Sequence, residues 1–138
     1  MSNPTIESLQ AVMDGSPLIR FCGMRIEAID RAAGSIVVAV ELRPELERRA
    51  GSGQWHGGAL AALIDTAGDF ALAVGLGAPV PTINFRVDYL RPAMTARLAA
   101  TATVRRAGRT VAVVDIDVHD AEGRLVAIGR GCYSAQPG

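Results

Sequence analysis

Residues 56–74 read HGGALAALIDTAGDFALAV, and this stretch decides the fold. Apolar and small side chains occupy nearly the whole circumference of a helical projection. A helix of that kind is enclosed on every side, whereas a surface helix keeps one polar face. The predicted helix covers about 57–74 and, at 1.5 Å per residue, is about 25 Å long, enough to cross a small domain. Two carboxylates interrupt it, Asp65 and Asp69. Their i,i+4 spacing places both on one face. A buried carboxylate is costly unless it is paired, hydrogen-bonded or protonated, and this helix carries no basic residue to pair with. The stripe therefore either faces solvent or a polar seam, or lines a cleft where a carboxylate does chemistry.

Working outward, the flanking segments read as strands. Four follow the helix, at about Thr82–Leu90, Ala96–Arg106, Thr110–His119 and Leu125–Ser134. In the third of these, Val111, Val113, Asp115 and Asp117 share one face, and Ala112, Val114, Ile116 and Val118 share the other. Ala107-Gly108 and Asp120-Ala121-Glu122-Gly123 supply short turns, which imply antiparallel pairing. Two more strands are predicted between about Phe21 and Leu42, joined by a turn at Asp30–Gly34. Arg43–Gly53 is polar and reads as an exposed loop. A short amphipathic helix at about 4–14 opens the chain, with Asn3 as N-cap, Pro4 in the first helical position and Ile6, Leu9, Val12 and Met13 on one face. The sum is an α+β fold in a single domain spanning 1–138, a curved antiparallel sheet of five to six strands wrapped around the long helix.

Composition narrows the function. Half of the 138 residues are hydrophobic, so a sizeable core can form. Fourteen basic residues balance fourteen acidic ones, which argues against non-specific binding to nucleic acid or to a membrane surface. No stretch of about 18 uninterrupted apolar residues occurs, and the first residues lack the pattern of a signal peptide, so the expected location is the cytoplasm. Cys22 and Cys132 have neither CxxC nor His spacing and read as small core residues.

The start of the long helix offers a second cluster. Gly57 and Gly58 let backbone approach a ligand, and a helix N-terminus presents free N–H donors with a partial positive charge. Together these suit a developing oxyanion, although an ordinary helix start gives the same tripeptide. His56 reads either as a general base or, more in keeping with its place, as a group that holds the backbone by a hydrogen bond. His119 lies near a turn and reads as solvated. No metal-ligand spacing, GxSxG elbow, GxGxxG or P-loop is present.

On these residues the chain resembles a known family. QWHGGALAALIDTAGDFA (54–71) is similar to the signature of hotdog-fold acyl-CoA thioesterases of the phenylacetyl-CoA and 4-hydroxybenzoyl-CoA type, including the acid eight residues after the first glycine. TINFRVDYLRPA (82–93) resembles the family strand that ends in Tyr-x-x-Pro-Ala. VRRAGRTVAVVDIDVHDAEGRLVAIGRG (104–131) resembles its last two strands. The resemblance covers most of the chain from about Phe21 onward.

What the resemblance implies is specific. Asp65 matches the catalytic carboxylate, acting as nucleophile or as general base for water. Gly57 matches the glycine whose N–H polarises the thioester carbonyl, with His56 and Gly58 beside it in the motif. Asp69 falls where relatives place a polar side chain near the catalytic water, and Thr82 where they carry a Ser or Thr that positions it. Many relatives have Asn or Gln six residues before the motif histidine; that position here is Ala50, and Gln54 is the nearby amide. The implied reaction is hydrolysis of an acyl-CoA, with no cofactor and no metal. Arg86, Arg91, Arg105, Arg106 and Arg109 are candidates for the CoA phosphates. Phe70, Trp55, Tyr89 and Met94 are candidates for the acyl pocket. Family members are dimers or tetramers with shared sites, so a homodimer or homotetramer is implied.

Geometry points the same way. Gly57 and Asp65, eight residues apart, are separated by about 12 Å along one helix axis, too far for one thioester carbonyl to meet both. A two-fold mate would bring Gly57 of one protomer toward Asp65 of the other. Two other readings remain open on the residues: a hydratase or dehydratase using a His–acid pair, and a non-catalytic acyl-CoA-binding module.

Overall fold

The computed structural model describes residues 3–138. Its element order is α1 (Ile6–Asp14), α2 (Pro17–Cys22), β1 (Arg25–Asp30), β2 (Ser35–Glu41), a 3-10 turn (Pro44–Leu46), α3 (Gly57–Leu76), β3 (Thr82–Tyr89), β4 (Arg97–Ala107), β5 (Val111–Asp120) and β6 (Leu125–Ser134). All six strands form one antiparallel sheet in the order β1-β2-β4-β5-β6-β3. This is the hotdog arrangement. β2 and β3 stand four strand spacings apart, about 19 Å, and α3 carries the chain from one to the other across the sheet.

The core lies between α3 and the concave face. Ala112, Val114, Ile116 and Val118 of β5 are wholly buried, as are Leu98, Ala100 and Ala102 of β4. The alternation expected for β5 is thus observed, with Val111 exposed on the opposite face. α3 is long and apolar enough to cross a membrane by length and composition. In this fold, however, Leu63, Ile64, Ala67 and Ala73 are wholly buried within the chain's own core. Glycine makes the closest approach possible. A Cβ at Gly68 of α3 would lie 2.0 Å from the Tyr133 hydroxyl oxygen, and one at Gly131 of β6 would lie 2.4 Å from the Tyr133 ring. The wholly buried Tyr133 fits only because both positions lack a side chain.

Three local expectations are corrected. The N-cap of α1 is Thr5, not Asn3, and Pro4 precedes the helix. Thr5 wins because Ser8 completes a reciprocal cap: the Ser8 N–H donates to Thr5 Oγ1 at 3.1 Å and the Thr5 N–H to Ser8 Oγ at 2.8 Å. Phe21 and Cys22 belong to α2 and not to a strand, because Ser16 caps a Pro-initiated turn that Gly23 ends at φ 76°. The polar segment after β2 is not simply an exposed loop. Leu46 is buried, and Glu47 bridges to Trp55, folding the segment back toward the start of α3.

Candidate active site

Two groups of polar atoms sit on α3. The first is at its N-terminus. His56 is the N-cap, and its Nδ1 accepts the Gly58 N–H at 2.8 Å. The Ala59 and Leu60 amides donate to the His56 carbonyl. Gly57 is therefore the first-turn residue whose N–H donates to no protein group among the described residues. The following peptide is held too: the Tyr89 hydroxyl donates to the Gly57 carbonyl at 2.6 Å. A Cβ at Gly57 would lie 3.2 Å from that hydroxyl, so a larger residue would have to displace the Tyr89 ring by a few tenths of an ångström.

With Nδ1 accepting, the neutral His56 ring carries its proton on Nε2 and is a donor on its open side. That geometry matches the backbone-holding role. The Gly58 amide is tied to His56. Gly57 lines a cleft of about 490 Å³ together with Arg48, Gln54, Trp55, Tyr89 and Arg91 among others. Gln54 thus reaches the Gly57 neighbourhood. Ala50 is an exposed residue of the preceding loop.

The second group lies two turns further on. The Thr82 hydroxyl donates to Asp65 Oδ1 at 2.7 Å. The Asp65 main-chain carbonyl accepts from the Tyr133 hydroxyl at 3.2 Å, which fixes the helix against β6 at that residue. Asp69 Oδ1 accepts the Val80 N–H at 2.7 Å. Burial, with a smaller contribution from the Asp65 charge, raises the Asp69 carboxyl to about 6 against the lowering effect of the Val80 bond.

That shift has a consequence for stability. Unfolded, Asp69 ionises near 3.8; folded, near about 6. Between those values the folded state holds the extra proton. The stability contributed by the neutral acid is fully present below about pH 4 and is lost as pH rises through about 6. Asp69→Asn should therefore gain about 1–3 kcal/mol relative to wild type between pH 4 and pH 7.5. Urea midpoints at the two pH values measure it, and a pH-independent difference would contradict the assignment.

Within one chain the two groups do not meet, since about 12 Å of helix separates Gly57 from Asp65. Asp65, Asp69 and Thr82 come together; Gly57, Gly58, His56 and Gln54 come together. Of the arginines singled out in the sequence, Arg91 reaches the cleft beside Gly57. Arg86 pairs with Asp88 at 2.9 Å and Arg105 with Asp115 at 3.5 Å. Among the pocket candidates Phe70 is core, Met94 is exposed, and Trp55 and Tyr89 line the cleft. Sequence reasoning missed Arg48, the Tyr89 and Tyr133 hydroxyl contacts and the Val80 amide. No three His, Cys, Asp or Glu side chains gather as a metal site among the described residues.

The sequence model of the thioesterase superfamily matches residues 52–127, which contain both groups. The chain belongs to the thioesterase superfamily. As a member it is an enzyme of thioester hydrolysis. It is 38% identical over 136 residues to a putative esterase of Halobacterium salinarum, covering 91% of this chain and 88% of that one. It is 30% identical over 133 residues to the acyl-coenzyme A thioesterase PaaI of Escherichia coli, covering 95% and 91%. Among solved structures, a thioesterase from Haemophilus influenzae superposes with a TM-score of 0.85 at 26% identity, covering 96% of this chain and 91% of that one. The superfamily match places Gly57, Asp65 and Thr82 inside the shared region.

Proposed function

We propose that this thioesterase hydrolyses acyl-CoA, with Asp65 as nucleophile or general base and the Gly57 amide as oxyanion donor. The observation that carries the reading is the free Gly57 N–H on the same buried helix as a carboxylate held by a threonine hydroxyl. As general base, Asp65 takes a proton from water while the water oxygen attacks the thioester carbonyl. As nucleophile, Asp65 attacks the carbonyl itself, and water then cleaves the resulting anhydride. By either route charge develops on the carbonyl oxygen, where the Gly57 N–H and the helix dipole stabilise it. Collapse breaks the C–S bond, and CoA leaves as thiolate and takes up a proton. Thr82 orients the carboxylate and water. His56 and Gly58 hold the helix start, and the Gln54 amide faces the same cleft. Arg48 and Arg91, on that cleft, are the cations for the CoA phosphates.

The reading includes a homodimer or homotetramer in the cytoplasm. The distance between Gly57 and Asp65 supports a shared site. So does β3, an edge strand paired only with β6, where Ile83, Phe85 and Tyr89 are 56%, 37% and 52% exposed.

The test is thiol release over a panel of aryl- and fatty-acyl-CoA thioesters, with the same acyl groups on N-acetylcysteamine as phosphate-free controls. Protein mass is followed by sedimentation under the assay conditions. Turnover of at least one acyl-CoA, a higher KM for its phosphate-free analogue, and activity confined to the dimer or larger species are expected. Enoyl-CoA hydration in place of thiol release, or full activity in a folded monomer, would sink the reading.

A further inference from the structure

The Asp69 carboxylate is half-buried on α3, four residues beyond Asp65, and it faces the segment that leads into β3. Its partner is a backbone amide, the Val80 N–H at 2.7 Å. Two residues further on, the Thr82 hydroxyl donates to Asp65 at the same distance, 2.7 Å. The chain therefore runs back along α3 and meets two successive carboxylates with two alternate residues. The spacings match. Four residues of helix rise about 6 Å, and two residues of extended chain advance about 6.6 Å. An extended segment antiparallel to the helix thus reaches Asp69 and Asp65 in step.

The segment needs such a hold. Between the C-cap at Gly77 and the first residue of β3, no helix or strand orders the backbone. On its other side the segment is bound to β6 through the Ser134 N–H, which donates to the Pro81 carbonyl at 2.8 Å. Beyond that the β3–β6 ladder shifts between Thr82 and Asn84, so Thr82 sits beside an irregularity in its own pairing. On the helix side, the Asp69 bond holds the amide two residues before Thr82.

We propose that Asp69 is a positioning residue, whose grip on the Val80 amide sets Thr82 so that its hydroxyl meets the Asp65 carboxylate. The proposal rests on the acyl-CoA reading above, in which Asp65 performs the chemistry. Asp69 acts through Thr82 and touches no reacting atom. Removing the grip leaves Asp65 in place but lets Thr82 drift, and displacements of about 1 Å at a reacting group can cost up to about 100-fold in rate.

The experiment is a double-mutant cycle on kcat and KM for the best acyl-CoA substrate, with Val80 amide hydrogen exchange as a readout independent of activity. Asp69→Ala should lower kcat about 10- to 100-fold with KM changed by no more than about twofold, and should speed exchange at Val80. Asp69→Asn keeps an oxygen acceptor for the Val80 N–H and should recover kcat to within about threefold of wild type. In a Thr82→Val background, Asp69→Ala should cost no more than about a further twofold. Asp69→Ser, polar but too short to reach the amide, stands in should Asp69→Ala fail to fold. Multiplicative losses in the Thr82→Val background, a loss confined to KM, or an Asp69→Asn enzyme no better than Asp69→Ala would overturn the proposal alone. A folded wild type that releases no thiol from any acyl-CoA would overturn the underlying reading, and the proposal with it.

Discussion

Asp65→Asn should reduce thiol release by about 1,000-fold or more in kcat while leaving the fold and acyl-CoA binding intact. The substitution keeps the size of the side chain and an oxygen for the Thr82 hydroxyl, now 2.7 Å from Asp65 Oδ1. It removes the charge that would attack the carbonyl or accept a proton from water. The oxyanion donor, the Gly57 amide brought to the site by the two-fold mate, is untouched, so a residual rate above the uncatalysed one is expected. Steady-state kinetics with unchanged circular dichroism and urea midpoint provide the check. An Asp65→Asn enzyme within tenfold of wild type would remove Asp65 from the chemistry. Tight acyl-CoA binding with no Asp65-dependent turnover would instead make the chain a binding module. Label found in the Asp65 carboxylate after multiple turnover in ¹⁸O-labelled water identifies the nucleophilic route, because it enters there only if that group attacks the thioester and water then attacks the Asp65 side of the anhydride.

The other large effect concerns packing. Gly68→Ala should destabilise the fold by about 3 kcal/mol or more, lowering the melting temperature by roughly 10 °C. A Cβ there would lie 2.0 Å from the Tyr133 hydroxyl oxygen and 2.7 Å from Cζ. Tyr133 has no room to retreat, being wholly buried with its ring against Gly131 on the other side. Gly75→Ala is the control on the same helix. Its Cβ would meet nothing within 4 Å, so it should gain up to about 1 kcal/mol from helix propensity alone. Thermal melts followed by circular dichroism compare the two. A Gly68→Ala protein melting within 2 °C of wild type would mean that the ring and helix are less tightly opposed than described.

Much of this was legible in the sequence, for reasons that differ from residue to residue. α3 announced itself because its apolar character persists over 20 residues, long enough for the periodic signal to exceed local noise. The alternation of β5 was readable because one face is buried throughout. α2 was not, because six residues make fewer than two turns and show no period. Asp65 and Asp69 stood out as carboxylates in an apolar run, yet their partners divided sharply. Thr82 was reachable through the family resemblance. Val80 was not, because a backbone amide belongs to every non-proline residue and has no letter of its own. Arg48 was hidden for a related reason. It joins the cleft because the loop doubles back, with its N–H donating to the Gln54 carbonyl at 2.8 Å, and that turn lies in a segment without periodicity. The hydroxyls of Tyr89 and Tyr133 belong to strands, where period two tells which face a side chain takes but not how far it reaches.

The burial of α3 has a consequence for how such an enzyme diverges. The carboxylate proposed for the chemistry is mounted on a core helix, gripped by Tyr133 and crowded at Gly68. Substitutions there are paid for in folding. Tyr89, Arg48 and Arg91 lie instead on an exposed strand end and loops, where most replacements shift stability by no more than about 0.5 kcal/mol. Selection can therefore explore new substrate contacts along the rim while the reacting helix stays constant. Descendants of such a chain would be expected to share a mechanism long after they have ceased to share a substrate.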